Sequence, residues 1–369
     1  MLKQYRIRDY DFKLVILVIS LTVIGIFAVG SAKESMQKTQ IAGFILGLFL
    51  MVVISLFDYS VLLKLYWLCY LVNIVLLVLV AVMGELVNGA QRWVELFGIQ
   101  FQPSETAKIL LILFYAQFIM RHREKLNTFK NIAICCMLIL PPLFLIYDQP
   151  NLSTTIVLAA VFCVIMFVGG VHWKLVAGIM AITIPAFIIV MSIILQPDQE
   201  LIHDYQQTRV LAWLHPEEYS TTEAYQQLNS IMAIGSGQLQ GKGYNTNVIS
   251  SVKNGNFISE PQTDFIFAVI GEEFGFIGTC TVIVLIILIT LECFLVARRA
   301  KDIAGAIIAA GMAGLIGFQG FLNIGVTTGL LPNTGVTLPF VSYGLTSLVS
   351  LYIGIGFVLN VGLQCKNKY

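Results

Sequence analysis

From Ile303 to Cys365 the chain carries not one Asp, Glu, Lys or Arg, an uncharged run of 63 residues (303–365). A water-soluble helix or strand must turn a polar face outward every few residues, so such a run needs an apolar solvent. Residues 131–147 and 175–197 are bare in the same way. Charged residues make up 12% of the whole chain, against about 25% in an average soluble domain. These features exclude a secreted disulfide module, a disordered tail and an ordinary cytosolic enzyme. They predict a multi-pass membrane protein, a single polytopic domain over residues 1–369.

A bilayer core takes about 20 apolar residues per helix. On that measure ten stretches qualify: 12–30, 41–57, 61–83, 103–120, 131–147, 153–170, 174–195, 263–296, 303–327 and 339–362. Gly169-Gly170 followed by His172 and Trp173 divides the tract 153–195 in two. The fold class expected is therefore all-α and integral to the membrane, with ten transmembrane helices and both termini on one side. Placing the termini inside puts 15 of the 22 Lys and Arg residues there, which satisfies the positive-inside rule. Both termini are then cytoplasmic, and residues 196–262 form one large extracytoplasmic loop. Within it Ala224, Leu228, Ile231 and Met232 recur at one-face spacing. That spacing predicts an amphipathic helix capped by Thr221 or Thr222 and ended by Gly235.

Other classes fall away. A net charge of +1 leaves no basic footprint for nucleic acid. The seven cysteines form no CxxC pair and read as inert thiols. Glycines and prolines do not recur at matched places in two halves, which weighs against an inverted-repeat transporter. The first apolar run, after Lys3, Arg6 and Arg8, is too long for a signal-peptide core and reads as a retained helix.

Ionisable residues inside membrane helices are functional candidates, because burying them is costly. Glu105 and Lys108 open the fourth span at i, i+3 spacing and can pair, either as a site or as an anchor for the helix start. Asp264 opens the eighth span, as a catalytic carboxylate or as a helix cap. Glu272 follows eight residues later, roughly 12 Å along a helix, too far to share a proton with Asp264. Of Glu272 and Glu273, one is expected to face a cavity and the other to need a cation from a neighbouring helix. In the ten-span topology Glu105, Lys108 and Asp264 share the outer depth with Arg92, Trp93, Arg209, Asn151 and Ser342. The cluster Gly235–Gly243 lacks the features of a nucleotide loop and reads as a hinge or as a source of phosphate-binding amides.

Five segments carry a resemblance: Asn88–Trp93, Phe101–Glu105, Ala233–Gly237, Thr263–Gly275 and Pro339–Gly344. In this order, and over nearly the whole chain, they resemble the SEDS family (shape, elongation, division and sporulation), with wording nearer its elongation branch, RodA-like, than its division branch, FtsW-like. One departure is Gln149-Pro150-Asn151, where the family commonly has Gln-Pro-Asp; a positioning role suits the amide better than proton transfer.

The resemblance implies a peptidoglycan glycosyltransferase that polymerises lipid II at the outer face of the cytoplasmic membrane, for cell elongation and shape. It also implies a class B penicillin-binding protein as partner, to supply the transpeptidase. Asp264 is then the catalytic base, while Lys108 and Arg209, with Arg92 in reserve, meet the pyrophosphate. Glu105 holds Lys108 and Trp93 covers a sugar face, while Glu272 and Ser342 complete the substrate-binding set. No cofactor is demanded, although a divalent cation (Mg or Mn) bridging Asp264 and the pyrophosphate stays open. A lipid II flippase and a non-catalytic scaffold of the wall-synthesis complex are the rival readings.

Overall fold

A computed structural model describes residues 10–87, 90–96, 99–149, 151–174, 177–178, 181, 204–222, 224–245 and 257–365. Twelve helices lie in the described residues: α1 (Phe12–Ala32), α2 (Glu34–Leu56), α3 (Tyr59–Leu63), α4 (Tyr66–Met83), α5 (Pro103–His122), α6 (Phe129–Asp148), α7 (Leu152–Val168), α8 (Asp204–Leu214), α9 (Tyr225–Ser236), α10 (Ile266–Arg299), α11 (Ile303–Thr327) and α12 (Leu345–Leu363). Seven of them, α1, α2, α4, α6, α10, α11 and α12, are long and apolar enough to cross a membrane. The span expected at 174–195 falls mostly outside the described residues.

One element departs from the all-α expectation. Residues between α4 and α5 form a small antiparallel sheet, β1 (Glu85–Val87), β2 (Ala90–Leu96) and β3 (Ile99–Phe101), in the order β1-β2-β3. The 61–83 stretch is also broken, since α3 ends at Leu63 and α4 begins at Tyr66. The amphipathic helix appears as α9, but Ala224 stands at its N-cap and no side chain caps it, so neither Thr221 nor Thr222 does.

The exposed faces of α1, α2, α4, α6 and α10 are studded with Phe, Leu, Ile and Val, as a lipid environment requires. By contrast α11 and α12 are buried along most of their length. Helices in lipid gain no hydrophobic drive from meeting one another, so close packing must hold them. On α11, Gly311 abuts Ile112 of α5, Gly314 abuts Val164 of α7 and Gly320 abuts Ile286 of α10. Hydrogen bonds add to this. Pro142 inside α6 cannot donate to the Leu138 carbonyl, and the Tyr70 hydroxyl of α4 takes that place at 3.0 Å.

α10 is two helices joined at Gly275, whose φ of 62° and ψ of −157° break the ladder. The glycine cluster of residues 235–243 fits into this break. Lys242 and Gly243 donate their amides to the Glu272 and Glu273 carbonyls at 2.9 and 3.0 Å, and Phe276 N donates to Gln238 O at 2.8 Å. The Gly243 amide is therefore committed to α10, and those of Gly237 and Gly241 donate to the Ile234 and Gly237 carbonyls, so none of the three is left for a phosphate cradle. A Cβ on Gly237 or Gly241 would overlap the Gly271 or Glu273 carbonyl, so the contact admits only glycine.

Candidate active site

The starts of α5 and α10, the end of α11 and the segment 331–343 come together at one end of the bundle. Pro103 suits the first turn of α5, and Gln102 precedes it. Glu105 and Lys108, one turn apart, form an ion pair at 2.7 Å with both side chains almost fully buried. Lys108 Nζ also donates to Gln319 Oε1 of α11 at 3.1 Å. The pair therefore faces protein and a small cleft, not lipid.

That cleft is narrow, about 30 Å³, and is lined by Arg92, Gln102, Glu105, Lys108, Asn151, Thr154, Val157, Gln319 and residues 335–337. Arg92 is placed from β2 by donating Nε to the Gln149 carbonyl at 3.1 Å. Asn151 caps α7, accepting from Thr154 N at 3.4 Å, which gives the departure from Gln-Pro-Asp a structural role beside the cleft. A larger recess, about 630 Å³, lies on α6 along Met137, Leu140, Pro141, Phe144 and Tyr147 and reaches Thr155 of α7. Its walls are apolar, so it suits a lipid chain and no ionic chemistry.

Asp264 stands two residues before α10. Phe265 occupies the N-cap position, so Asp264 does not cap the helix. Asn323 Nδ2 donates to the Asp264 backbone carbonyl at 2.7 Å and to Val336 O at 2.6 Å, tying this residue to the 335–337 segment. The carboxylate itself receives no hydrogen bond from any described residue. Burial raises its pKa above the ordinary carboxylate value and Glu260 adds to the rise, while Arg92 and Arg209 oppose it. Arg209 reaches the same region from α8, donating to Asn333 O at 3.4 Å. A partly buried carboxylate with a raised pKa, no hydrogen-bond donor of its own and guanidinium groups beside it is poised to accept a proton.

The structure thus brings together Asp264, Arg92 and Arg209 on one side, and Glu105 and Lys108 on the other. Four residues fall elsewhere. Glu272 is not in the cleft wall; it is buried and paired at 2.7 Å with Lys242, the cation coming from the glycine loop and not from a helix. Nor does Glu273 face a cavity, being buried with Ser31 donating to it. Ser342 is a structural clip: its hydroxyl accepts from Leu338 N at 2.7 Å and donates to Thr263 O at 2.6 Å. Trp93 is half-buried on β2 next to Arg92 and does not line the cleft. Gln319, Asn323 and Gly335 carry no charge and escaped a search built on charge. Among the described residues no group of three or more His, Cys, Asp or Glu could hold a metal ion.

These features define a multi-pass membrane protein with a charged cleft sealed into one end of its helix bundle. The chain matches the family described as Cell cycle protein, which takes in FtsW, RodA and SpoVE, over residues 10–367. It belongs to this family, the SEDS proteins. It is 35% identical over 359 residues to peptidoglycan glycosyltransferase MrdB of Escherichia coli strain K12, covering 96% of this chain and 94% of that one. It is 32% identical over 380 residues to a protein of Geobacter metallireducens named probable peptidoglycan glycosyltransferase FtsW, covering 98% and 96%. Among solved structures it resembles a chain from work on the structural coordination of polymerization and crosslinking by a peptidoglycan synthase complex. There the TM-score is 0.79 at 30% identity, covering 96% of this chain and 97% of that one. The rod shape determining protein RodA of Thermus thermophilus gives a TM-score of 0.70 at 29% identity, covering 96% of each.

Proposed function

We propose that the chain is a peptidoglycan glycosyltransferase of the elongation branch, polymerising lipid II into glycan strands. The observation that carries the site assignment is Asp264, a carboxylate of raised pKa flanked by Arg92 and Arg209 at the membrane boundary. In the reaction, the acceptor hydroxyl oxygen forms a bond to the donor's anomeric carbon and Asp264 takes its proton. The bond from that carbon to the undecaprenyl pyrophosphate breaks, its electron pair leaves with the pyrophosphate, and the anomeric centre inverts. The leaving group is already good, so one base suffices. Fixed cations stabilise the growing negative charge: Lys108 and Arg209 first, with Arg92 beside them.

The rest of the assignment follows from this reading. The site faces outward from the cytoplasmic membrane, both termini are cytoplasmic, and residues 1–369 form one polytopic domain of ten helices with 196–262 as its extracytoplasmic loop. The asymmetry of Lys and Arg supports that orientation. The prenyl chain of the substrate lies along the apolar recess on α6, which, like the cleft, borders α7. A class B penicillin-binding protein, which would supply the transpeptidase, is the partner; the likeness to a chain of a peptidoglycan synthase complex that coordinates polymerization and crosslinking supports this. The test is purified protein, with and without that partner, given lipid II in detergent. Glycan polymer supports the assignment, while transport of labelled lipid across vesicles without polymer points to a flippase.

A further inference from the structure

Gln319 has no charge and lies in the middle of a long apolar helix, yet both ends of its amide are committed. It is 1% exposed. Oε1 accepts from Lys108 Nζ at 3.1 Å, while Nε2 donates to the Thr337 carbonyl at 3.0 Å and its hydroxyl at 3.1 Å. A flipped amide would set its NH₂ against the ammonium and its oxygen against a carbonyl, so these partners fix its orientation. One turn further along α11, Asn323 holds Val336 and the Asp264 backbone in the same manner. Residues 335–337 are thus pinned between an amide that touches the Lys108 side and an amide that touches the Asp264 side.

We infer that Gln319 is a positioning residue that aims Lys108 into the cleft and keeps it in register with Asp264 through residues 335–337. This rests on the proposed function and names how its cation is held. An ammonium has three protons. Glu105 takes one and Gln319 another, and no other described residue bonds to Lys108. With two directions fixed, the tetrahedral geometry fixes the third, and the cleft is where it is free to point. Without Gln319 the flexible lysine stem is held by Glu105 alone and rotates about that contact. The chemistry also explains why the group is an amide. Glu105 already balances the Lys108 charge and Arg92 leaves the cleft with one net positive charge, so a second carboxylate would cancel it in front of an anionic pyrophosphate. A neutral acceptor orients the cation and leaves its field intact.

The experiment uses the full-length protein in detergent as Gln319→Glu, the near-isosteric Gln319→Met, and Thr337→Val. For each, the thermal midpoint, lipid II KM and kcat, and direct binding of undecaprenyl pyrophosphate as probe are measured. Gln319→Glu is expected to weaken probe binding and to lower kcat/KM per folded molecule, each by about tenfold, because Lys108 meets charge that grows as the pyrophosphate leaves. Gln319→Met should shift both in the same direction by less, and Thr337→Val by less again. A lowered midpoint with probe binding and kcat/KM per folded molecule unchanged would mean that Gln319 only packs α11, and would overturn the inference. Wild-type kcat/KM and probe binding in Gln319→Glu would overturn it too. Wild-type protein that neither binds the probe nor makes polymer overturns the proposed function itself, so the two failures are told apart.

Discussion

Gly335 presents its bare face to Asp264: a methyl group on its α-carbon would stand 3.3 Å from Asp264 Oδ2. The residue also has φ of 71°, where a side chain is strained. Gly335→Ala should therefore crowd the carboxylate and shift the segment that Asn323 and Gln319 hold. The expected result is a fall in kcat of about tenfold or more with a stability loss of only about 1 kcal/mol. Steady-state kinetics beside a thermal melt would check this; unchanged kcat would show that the cleft tolerates the methyl group.

The raised pKa of Asp264 sets a pH dependence. The base must be ionised, so activity is present above that pKa and is lost as pH falls through it. The acid limb of the pH–rate profile should lie above the usual carboxylate range. Arg92 and Arg209 both hold the pKa down, so Arg92→Gln or Arg209→Gln should move the limb to higher pH. A shift to lower pH would contradict the assignment.

Lys108→Met should weaken lipid II use by removing the buried cation. It also leaves Glu105 buried without its partner, so a stability loss of about 3–5 kcal/mol is expected alongside. Arg209→Ala instead removes a cation that opposes the raised pKa of Asp264 and a bond to the Asn333 carbonyl, and leaves the Glu105–Lys108 pair intact. Donor binding measured for both separates the electrostatic role from the structural one. Unaltered donor affinity and turnover in both would remove the pyrophosphate assignment.

The kink in α10 makes a prediction free of catalysis. Gly237→Ala drives a methyl group into the Gly271 carbonyl, with backbone on both sides and no side chain to yield. Destabilisation of about 3 kcal/mol or more is expected. Lys242→Met should cost about 1–3 kcal/mol by leaving the Glu272 carboxylate without this cation. Thermal unfolding in detergent would measure both.

Much of this was readable before any coordinates, and for a physical reason. In a chain starved of charge, each ionisable residue in an apolar run stands out, so Glu105, Lys108, Asp264, Arg92 and Arg209 are visible as candidates in the sequence. Gln319 and Asn323 were missed because an amide does not register in a charge count. Their signal was an i, i+4 amide pair inside the 63-residue uncharged run, where any polar group needs a partner. An all-α expectation leaves no place for the sheet of β1, β2 and β3, although Asn88-Gly89 is a strong hairpin signal. Glu272 was marked for its charge, but its partner comes from a loop 30 residues upstream, which local spacing does not reveal. Ser342 failed similarly, since a hydroxyl that clips two segments looks in sequence like one that meets a ligand.

The most direct test of the account is Asp264→Asn, purified and supplied with lipid II, with glycan product and thermal midpoint measured together. In the folded state the carboxyl's pKa lies above its unfolded value. Ionisation therefore destabilises the fold as pH rises past the unfolded pKa, with the full penalty above the folded one. The neutral amide removes that penalty at neutral pH. The account predicts no polymer from a protein whose midpoint equals or exceeds wild type. Near-normal glycan synthesis by that variant would contradict it.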